Sequence, residues 1–445
     1  MTEADALKNE ILKKVKEYYR CAYGQAIDFV PGQTRINYAG RVFDEHEMVN
    51  VVDSSLEFWL TYGKYSRSFE KRLAEYLGVT WSLLVNSGSS ANLLAFMALT
   101  VPELKDRRIL RGDEVITVAA GFPTTVAPII QYGAVPVFID VELETCNVDA
   151  AQMEQALSDK TRAVMLAHTL GNPFDVKAVK NFCERHHLWL IEDNCDALGS
   201  KYDGRPTGSF GDIGTSSFYP PHHITMGEGG AVYTSDPQLK KILLSIRDWG
   251  RDCWCDSGKD NTCGCRFSGQ FGTLPAGYDH KYVYSHFGYN VKATDIQAAI
   301  GCAQLGKVDF FGKARRRNFE RLYAALEDCG ATFVLPRAEE KSDPSWFGFL
   351  LTLRDQAGFS RNDIVEFLES RNIQTRNLFA GNITRHPCFE TLQEGQDFRV
   401  AGELKNTDRI MNNSFWVGVY PGMTDEKLDF MSSSIKEFVS GKRLS

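Results

Sequence analysis

Eleven cysteines and two adjacent histidines supply much of the reactive chemistry in this sequence. Four of the cysteines, Cys253, Cys255, Cys263 and Cys265, fall within thirteen residues. Packing alone does not explain such a cluster, and dense thiols in a reducing compartment point to metal or redox chemistry. Cys21, Cys146, Cys183, Cys302, Cys329 and Cys388 are scattered singly and are expected to be small buried hydrophobes. Glu192 and Asp193 end the apolar run LWLIED, which sets two carboxylates at the edge of an expected strand. An aspartate there can pair with a pyridinium nitrogen and preserve the ring as an electron sink; capping a loop is the alternative. NSGSSAN, Asn86 to Asn92, combines glycine with small hydroxyls between a strand and a helix. Its free backbone N–H groups would suit an anion, although many helices open on such turns without one. His222 and His223 precede a GEGG turn, and an imidazole with an ordinary pKa of about 6.5 can move protons near neutrality.

Elements of two kinds must position these groups. The runs WSLLVNSG, DEVITVAAGF, AVPVFIDV, RAVMLAHT, LWLIEDN, GTSSFYP and GGAVYTSD are short and apolar, as buried strands are. Between them, segments such as SANLLAFMALTVPEL and DVKAVKNFCERHH carry helical apolar spacing. This alternation predicts an α/β chain with a mostly parallel sheet covered on both faces. Residues 249–275 are rich in glycine and cysteine and interrupt the pattern as an inserted loop. A long helical run from Thr294 to Cys329 follows and leads into a smaller α+β region. The expected division is a large domain over 1–314 and a small C-terminal domain over 315–445.

Composition narrows the function classes. The 445 residues are 43% apolar and 24% charged, ordinary values for a soluble globular protein. A net charge of −7 argues against nucleic acid or an anionic membrane as the main partner. The first twenty residues are charged and amphipathic, and no stretch approaches the ~20 apolar residues of a span. A cytoplasmic location is expected.

The ordered series SGSSANLLA, GFPTT, EDNCDALGS, GSFGDIGTSSFYP, MGEGG and GYNVKATDIQAAIG resembles the DegT/DnrJ/EryC1/StrS family of PLP-dependent sugar aminotransferases. The resemblance spans roughly residues 60 to 305 and implies the aspartate aminotransferase (type I) fold and a homodimer with shared active sites. Residue by residue, it implies that Gly88, Ser89 and Ser217 cradle the cofactor phosphate and that Phe122 stacks on the pyridine ring. It sets Asp193 on the ring nitrogen and Asn290 on the phosphate of the neighbouring subunit. Asp196 stands where the family usually has a glutamine near the ring hydroxyl.

One departure changes the expected chemistry. The family's cofactor-binding lysine aligns with His222, and no lysine occurs from residue 202 to 239. Without an ε-amine the cofactor loses its covalent anchor. His222 can still serve as a base beside a non-covalently held pyridoxamine 5′-phosphate (PMP), with His223 its neighbouring rival. A degenerate, inactive member of the family is the bland alternative.

A subset of the family with this histidine removes a sugar hydroxyl. One branch is metal-free; the other carries a [2Fe–2S] cluster on cysteines spaced C-x57-C-x-C-x7-C. Here 57 residues separate Cys195 from Cys253, one separates Cys253 from Cys255, and seven separate Cys255 from Cys263. The resemblance therefore implies a cluster on Cys195, Cys253, Cys255 and Cys263, with Cys265 a possible substitute and a structural zinc the alternative. Because Cys195 lies two residues beyond Asp193, the cluster is expected beside the cofactor ring. The implied reaction is C3 dehydration of CDP-4-keto-6-deoxyglucose, leading to 3,6-dideoxyhexoses of surface polysaccharide. Electrons would come from a flavin and iron–sulfur NAD(P)H-dependent reductase. A dTDP-linked sugar and a PLP-dependent aminotransferase are the rival readings.

Overall fold

The computed structural model describes residues 2–24, 28–255 and 258–443, so residues 256–257 of the expected cysteine loop lie outside the described residues. The amphipathic start of the chain forms helix α1 (Glu3–Tyr23), whose capping box pairs Thr2 with Asp5. Helices α2 (Glu45–Glu57) and α3 (Lys64–Leu77) follow.

All seven apolar runs form strands. They are β1 (Trp81–Val85), β2 (Glu114–Val118), β3 (Val135–Ile139), β4 (Thr161–Ala167), β5 (Trp189–Asp193), β6 (Ile213–Ser217) and β7 (Gly230–Thr234). They build one sheet in the order β1-β7-β6-β5-β4-β2-β3, extended beyond β3 by the two-residue strand Arg399–Val400. β7 runs antiparallel to both its neighbours, and the other pairings are parallel. Side chains alternate across such a sheet, so each strand feeds two cores. Val115, Ala163 and Ile191 pack with helices α4 (Gly88–Ala98), α5 (Pro123–Tyr132) and α7 (Pro237–Arg247). Ile116, Val164 and Leu190 pack on the other face with α6 (Val176–Arg185).

The sequence differs from the structure at three places. The long helical run is two helices, α8 (Asp295–Leu305) and α9 (Val308–Leu326), broken at Gly306, where a glycine has little helix propensity. The irregular insertion is longer than its cysteine-rich composition suggests. Apart from one short turn it runs from Asp248 to Thr294, its ends closed by bridges between Asp248 and Asn290 and between Arg251 and Tyr284. Finally, Cys21 and Cys388 are exposed, whereas Cys146, Cys183, Cys302 and Cys329 are buried as expected.

Helix α9 carries the chain from the large sheet to a four-stranded antiparallel sheet. Its order is Phe333–Val334, β8 (Gly348–Leu353), β9 (Ser414–Gly418) and Thr375–Arg376. Helices α10 (Arg361–Ser370), α11 (Lys405–Asn413) and α12 (Asp425–Arg443) complete this region. Its core also takes Ile36 and Phe29 from the start of the chain. Among the described residues no helix is long and apolar enough to cross a membrane.

Candidate active site

A cavity of about 440 Å³ opens where the carboxyl ends of the parallel strands meet the small sheet. This is where α/β sheets bind ligands, because the strand ends and the following helix N-termini converge there. Helix α4 begins at Gly88 beneath its cap Ser87, whose hydroxyl accepts the Ser90 N–H at 3.1 Å. The start of the helix, Gly88 and Ser89, thus lines the cavity beside Ser217 at the end of β6. The approach is close: a Cβ on Gly88 would stand 2.4 Å from Ser217 Cβ. One on Gly230 would stand 2.3 Å from the Ser87 carbonyl, which explains the glycine opening β7.

The two carboxylates at the end of β5 part company. Glu192 is fully buried on the far face, accepting the N–H groups of Gly208, Phe210 and Gly211 and meeting His168 Nε2 at 3.0 Å. It ties a loop down. Asp193 faces the cavity, where Asn92 Nδ2 (2.8 Å) and Thr125 Oγ1 (2.7 Å) both donate to its Oδ2. Its Oδ1 accepts the Cys195 N–H at 3.1 Å. Asn92 is itself fixed by Thr215 Oγ1 at 2.7 Å, so the carboxylate is held at a set angle.

His222 lies on the excursion between β6 and β7, which is closed by the Phe218 N–H donating to the Gly229 carbonyl. Phe218 is fully buried against Phe69 and anchors the excursion. The His222 ring lines the cavity, edge-on to Phe347, with Nε2 3.8 Å from Asp196 Oδ1. Burial pushes its pKa down to about 4, against the opposing pull of Asp193. Burial, with Asp193 nearby, lifts Asp196 to about 8. Both groups are therefore neutral near pH 7: an imidazole ready to accept a proton beside a carboxylic acid. His223 turns away, its Nε2 bonded to the Ser345 carbonyl at 2.6 Å.

Gly88, Ser89, Phe122, Asp193, Cys195, Asp196, Ser217 and His222 all line this one cavity. Asn290 does not; it sits at the closing bridge of the long insertion. The residues present fit a phosphorylated pyridine. The Gly88 cradle has no room for a side chain, and His222 Nδ1 and Asp196 Oδ2 are buried without hydrogen-bond partners.

The cysteines divide. Cys253, Cys255 and Cys263 line a small cleft in the insertion with His280. The backbone N–H of Cys265, with help from His280, holds the Cys263 thiol down to about 6, whereas burial lifts Cys253 to about 11. Cys195 instead stands in the cofactor cavity, where burial and the neighbouring Asp193 raise its pKa well above the ordinary thiol value. Among the described residues, the group that could hold a metal is Cys253, Cys263 and His280, without Cys195.

Sequence reasoning overlooked several of these residues. Arg315 is 2% exposed, and its guanidinium donates to the carbonyls of Trp346 and His222, backing the histidine from behind. It sits in the run Arg315–Arg317, which resembles a solvated helix face, and nothing local marks its burial. Tyr38, Arg376, Asn377 and Trp416 reach the cavity from distant parts of the chain. Arg376 lies over the Tyr38 ring at 4.2 Å and brings a cation to the site.

Known proteins match this chain over most of its length. The sequence profile of the DegT/DnrJ/EryC1/StrS aminotransferase family matches residues 42–436. A lipopolysaccharide biosynthesis protein, RfbH, of Salmonella typhimurium is 53% identical, with 98% of each chain covered. The dTDP-4-dehydro-2,6-dideoxy-D-glucose 3-dehydratase of Saccharopolyspora spinosa is 52% identical, covering 97% of this chain and 92% of that protein. Among solved structures, the Escherichia coli GDP-4-keto-6-deoxy-D-mannose 3-dehydratase with bound hydrated PLP superposes with a TM-score of 0.81 at 28% identity. It covers 90% of this chain and 100% of its own. The fold is that of the PLP-dependent aminotransferases, as the sequence motifs implied.

Proposed function

This chain belongs to the DegT/DnrJ/EryC1/StrS aminotransferase family, and from that premise we propose that it is a PMP-dependent enzyme removing the C3 hydroxyl of a nucleotide-linked 4-keto-6-deoxyhexose. The observation that carries this reading is His222, a neutral imidazole in the cofactor cavity at the position of the family's lysine. Bound there, PMP supplies an amine for the sugar's ketone and a ring able to accept electrons.

The chain's own residues divide the remaining work. The N–H groups of Gly88 and Ser89, with the Ser217 hydroxyl, bind the phosphate. Asp193, fixed by Asn92 and Thr125, holds a proton on the ring nitrogen, and Phe122 covers a ring face. Asp196, a neutral acid, donates a hydrogen bond toward the ring hydroxyl. His222 takes and returns a proton at Nε2 as the C3–O bond breaks, and Arg315 keeps its backbone in place. Arg376 meets the diphosphate of the substrate.

Net removal of a hydroxyl consumes two electrons and two protons and releases water. We assign the electrons to a flavin and iron–sulfur reductase using NAD(P)H, received by an iron–sulfur centre on Cys253, Cys255 and Cys263. Cys195, the fourth ligand by the cysteine spacing, lines the cofactor cavity. A second copy of the chain completes the site through Asn290, close to the fully exposed Phe287.

We take the substrate to be CDP-4-keto-6-deoxyglucose. A dTDP-linked sugar is the second reading, favoured by the 52% identity to the Saccharopolyspora enzyme. Assaying CDP-, dTDP- and GDP-linked 4-keto-6-deoxy sugars with PMP and an electron donor decides between them. The CDP sugar should lose its C3 hydroxyl fastest. Turnover of the dTDP sugar alone would move the assignment to the second reading, and inertness of all three would overturn both.

A further inference from the structure

The long insertion builds a ligand set of its own. Cys253 Sγ, Cys263 Sγ and a ring nitrogen of His280 all lie within 4.8 Å of one another. His280 Nδ1 faces the sulfurs, 3.7 Å from Cys263 Sγ and 3.4 Å from Cys265 Sγ. Its Nε2 stands 2.8 Å from Asp252 Oδ2. Metal-binding imidazoles are oriented in this way: one nitrogen donates its proton to a carboxylate and the other keeps its lone pair for the metal.

The surrounding loop holds that orientation. Phe271 stacks on the imidazole at 4.8 Å and 8°, and Trp254 meets it edge-on at 5.6 Å. The His280 N–H donates to the Arg266 carbonyl at 2.8 Å, and Arg266 in turn binds Asp279, the cap of the short turn His280–Tyr282. His280 is 2% exposed in a segment where most neighbours are solvated. Cys195 is not part of this set; it lines the cofactor cavity, its sulfur beside Gly88.

We propose that His280 Nδ1 is a ligand of a metal centre held by Cys253, Cys255 and Cys263, in the place that the cysteine spacing gives to Cys195. The centre's assignment as a [2Fe–2S] cluster rests on the function proposed above; the ligand set rests on the loop geometry. Exchanging one thiolate for a neutral imidazole removes a negative charge from the centre and raises its potential, as histidine ligands do in Rieske clusters.

The test uses the full chain reconstituted with iron and sulfide. Iron, sulfide and zinc are measured by elemental analysis, and nitrogen hyperfine coupling by pulsed EPR of the reduced protein. Wild type should show directly bound imidazole nitrogen, and Cys195→Ser should keep its full iron and sulfide. His280→Ala should lose most of both. His280→Cys should keep the iron, lose the nitrogen coupling and show a lower midpoint potential, so the test survives if the alanine variant misfolds. Loss of iron in Cys195→Ser, nitrogen coupling that persists in His280→Cys, or loss of iron in Cys265→Ser with retention in His280→Ala would each overturn the assignment. Zinc without sulfide, still dependent on His280, would uphold the ligand and remove the cluster from the proposed function. A protein that takes up no metal would end both.

Discussion

His222 and Asp196 sit 3.8 Å apart with pKa values displaced in opposite directions, and their pH signatures can be separated. His222 falls from 6.5 to about 4, so the unfolded chain binds the extra proton between those values. The stability it contributes is present above about pH 6.5 and is lost as pH falls toward 4. Asp196 rises from 3.8 to about 8, so its contribution is present below 3.8 and is lost as pH rises through 8. Asp196→Asn fixes the neutral form; urea unfolding should find it stabilised relative to wild type by more at pH 8 than at pH 5, by about 4 kcal/mol over the three pH units. Equal differences at the two pH values would contradict a raised Asp196. His222→Asn should lower turnover by about 10²–10⁴-fold, the usual worth of a positioned base, while cofactor retention is unchanged. Because His222 is neutral down to about pH 4, the acid limb of wild-type activity should lie well below 6.5. Gly88, Asp193, Ser217 and His222 were legible in the sequence because each sits beside a strand end or a glycine turn, whereas Tyr38, Arg376, Asn377 and Trp416 arrive from remote segments. Arg315 and His280 were not legible either: one is buried against the carbonyls of Trp346 and His222, and the other lies fifteen residues beyond the cysteine cluster it joins.

Short apolar runs specify the strands of the large sheet, since a strand buried on both faces has little freedom to be anything else. The true length of the insertion depended on tertiary pairing, such as the bridge from Arg251 to Tyr284, which no local pattern carries. Two elements set the cofactor cradle and can be tested independently. Gly88→Ala drives a Cβ into Ser217 and should reduce PMP retention at least tenfold by equilibrium dialysis, with destabilisation of about 1–3 kcal/mol. Phe218→Ala removes the buried anchor of the His222 excursion and should cost about 3–5 kcal/mol in urea unfolding. If Phe218→Ala leaves stability unchanged, that excursion is held by its backbone bonds alone.

At the scale of the whole molecule, the site depends on parts of the chain that are far apart in sequence. Trp416 donates its indole N–H to the Asn377 carbonyl, and Tyr38 packs edge-on against the same indole, so the small sheet forms one wall of the cavity. A second copy would be the remaining wall. Phe287→Glu places a charge on a fully exposed ring three residues from Asn290 and should shift sedimentation toward the monomer, with activity falling in step. A dimer unaffected by that charge would place the interface elsewhere. Whether His222 converts an aminotransferase scaffold into a dehydrase can be read by following one atom. The PMP-loaded protein is given CDP-4-keto-6-deoxyglucose carrying oxygen-18 at C3, with glutamate, reductase and NADPH present and the dTDP sugar run in parallel. The label should be released into water, and the sugar should gain no nitrogen. Label retained at C3, with an amino group newly installed at C4, would contradict that conversion.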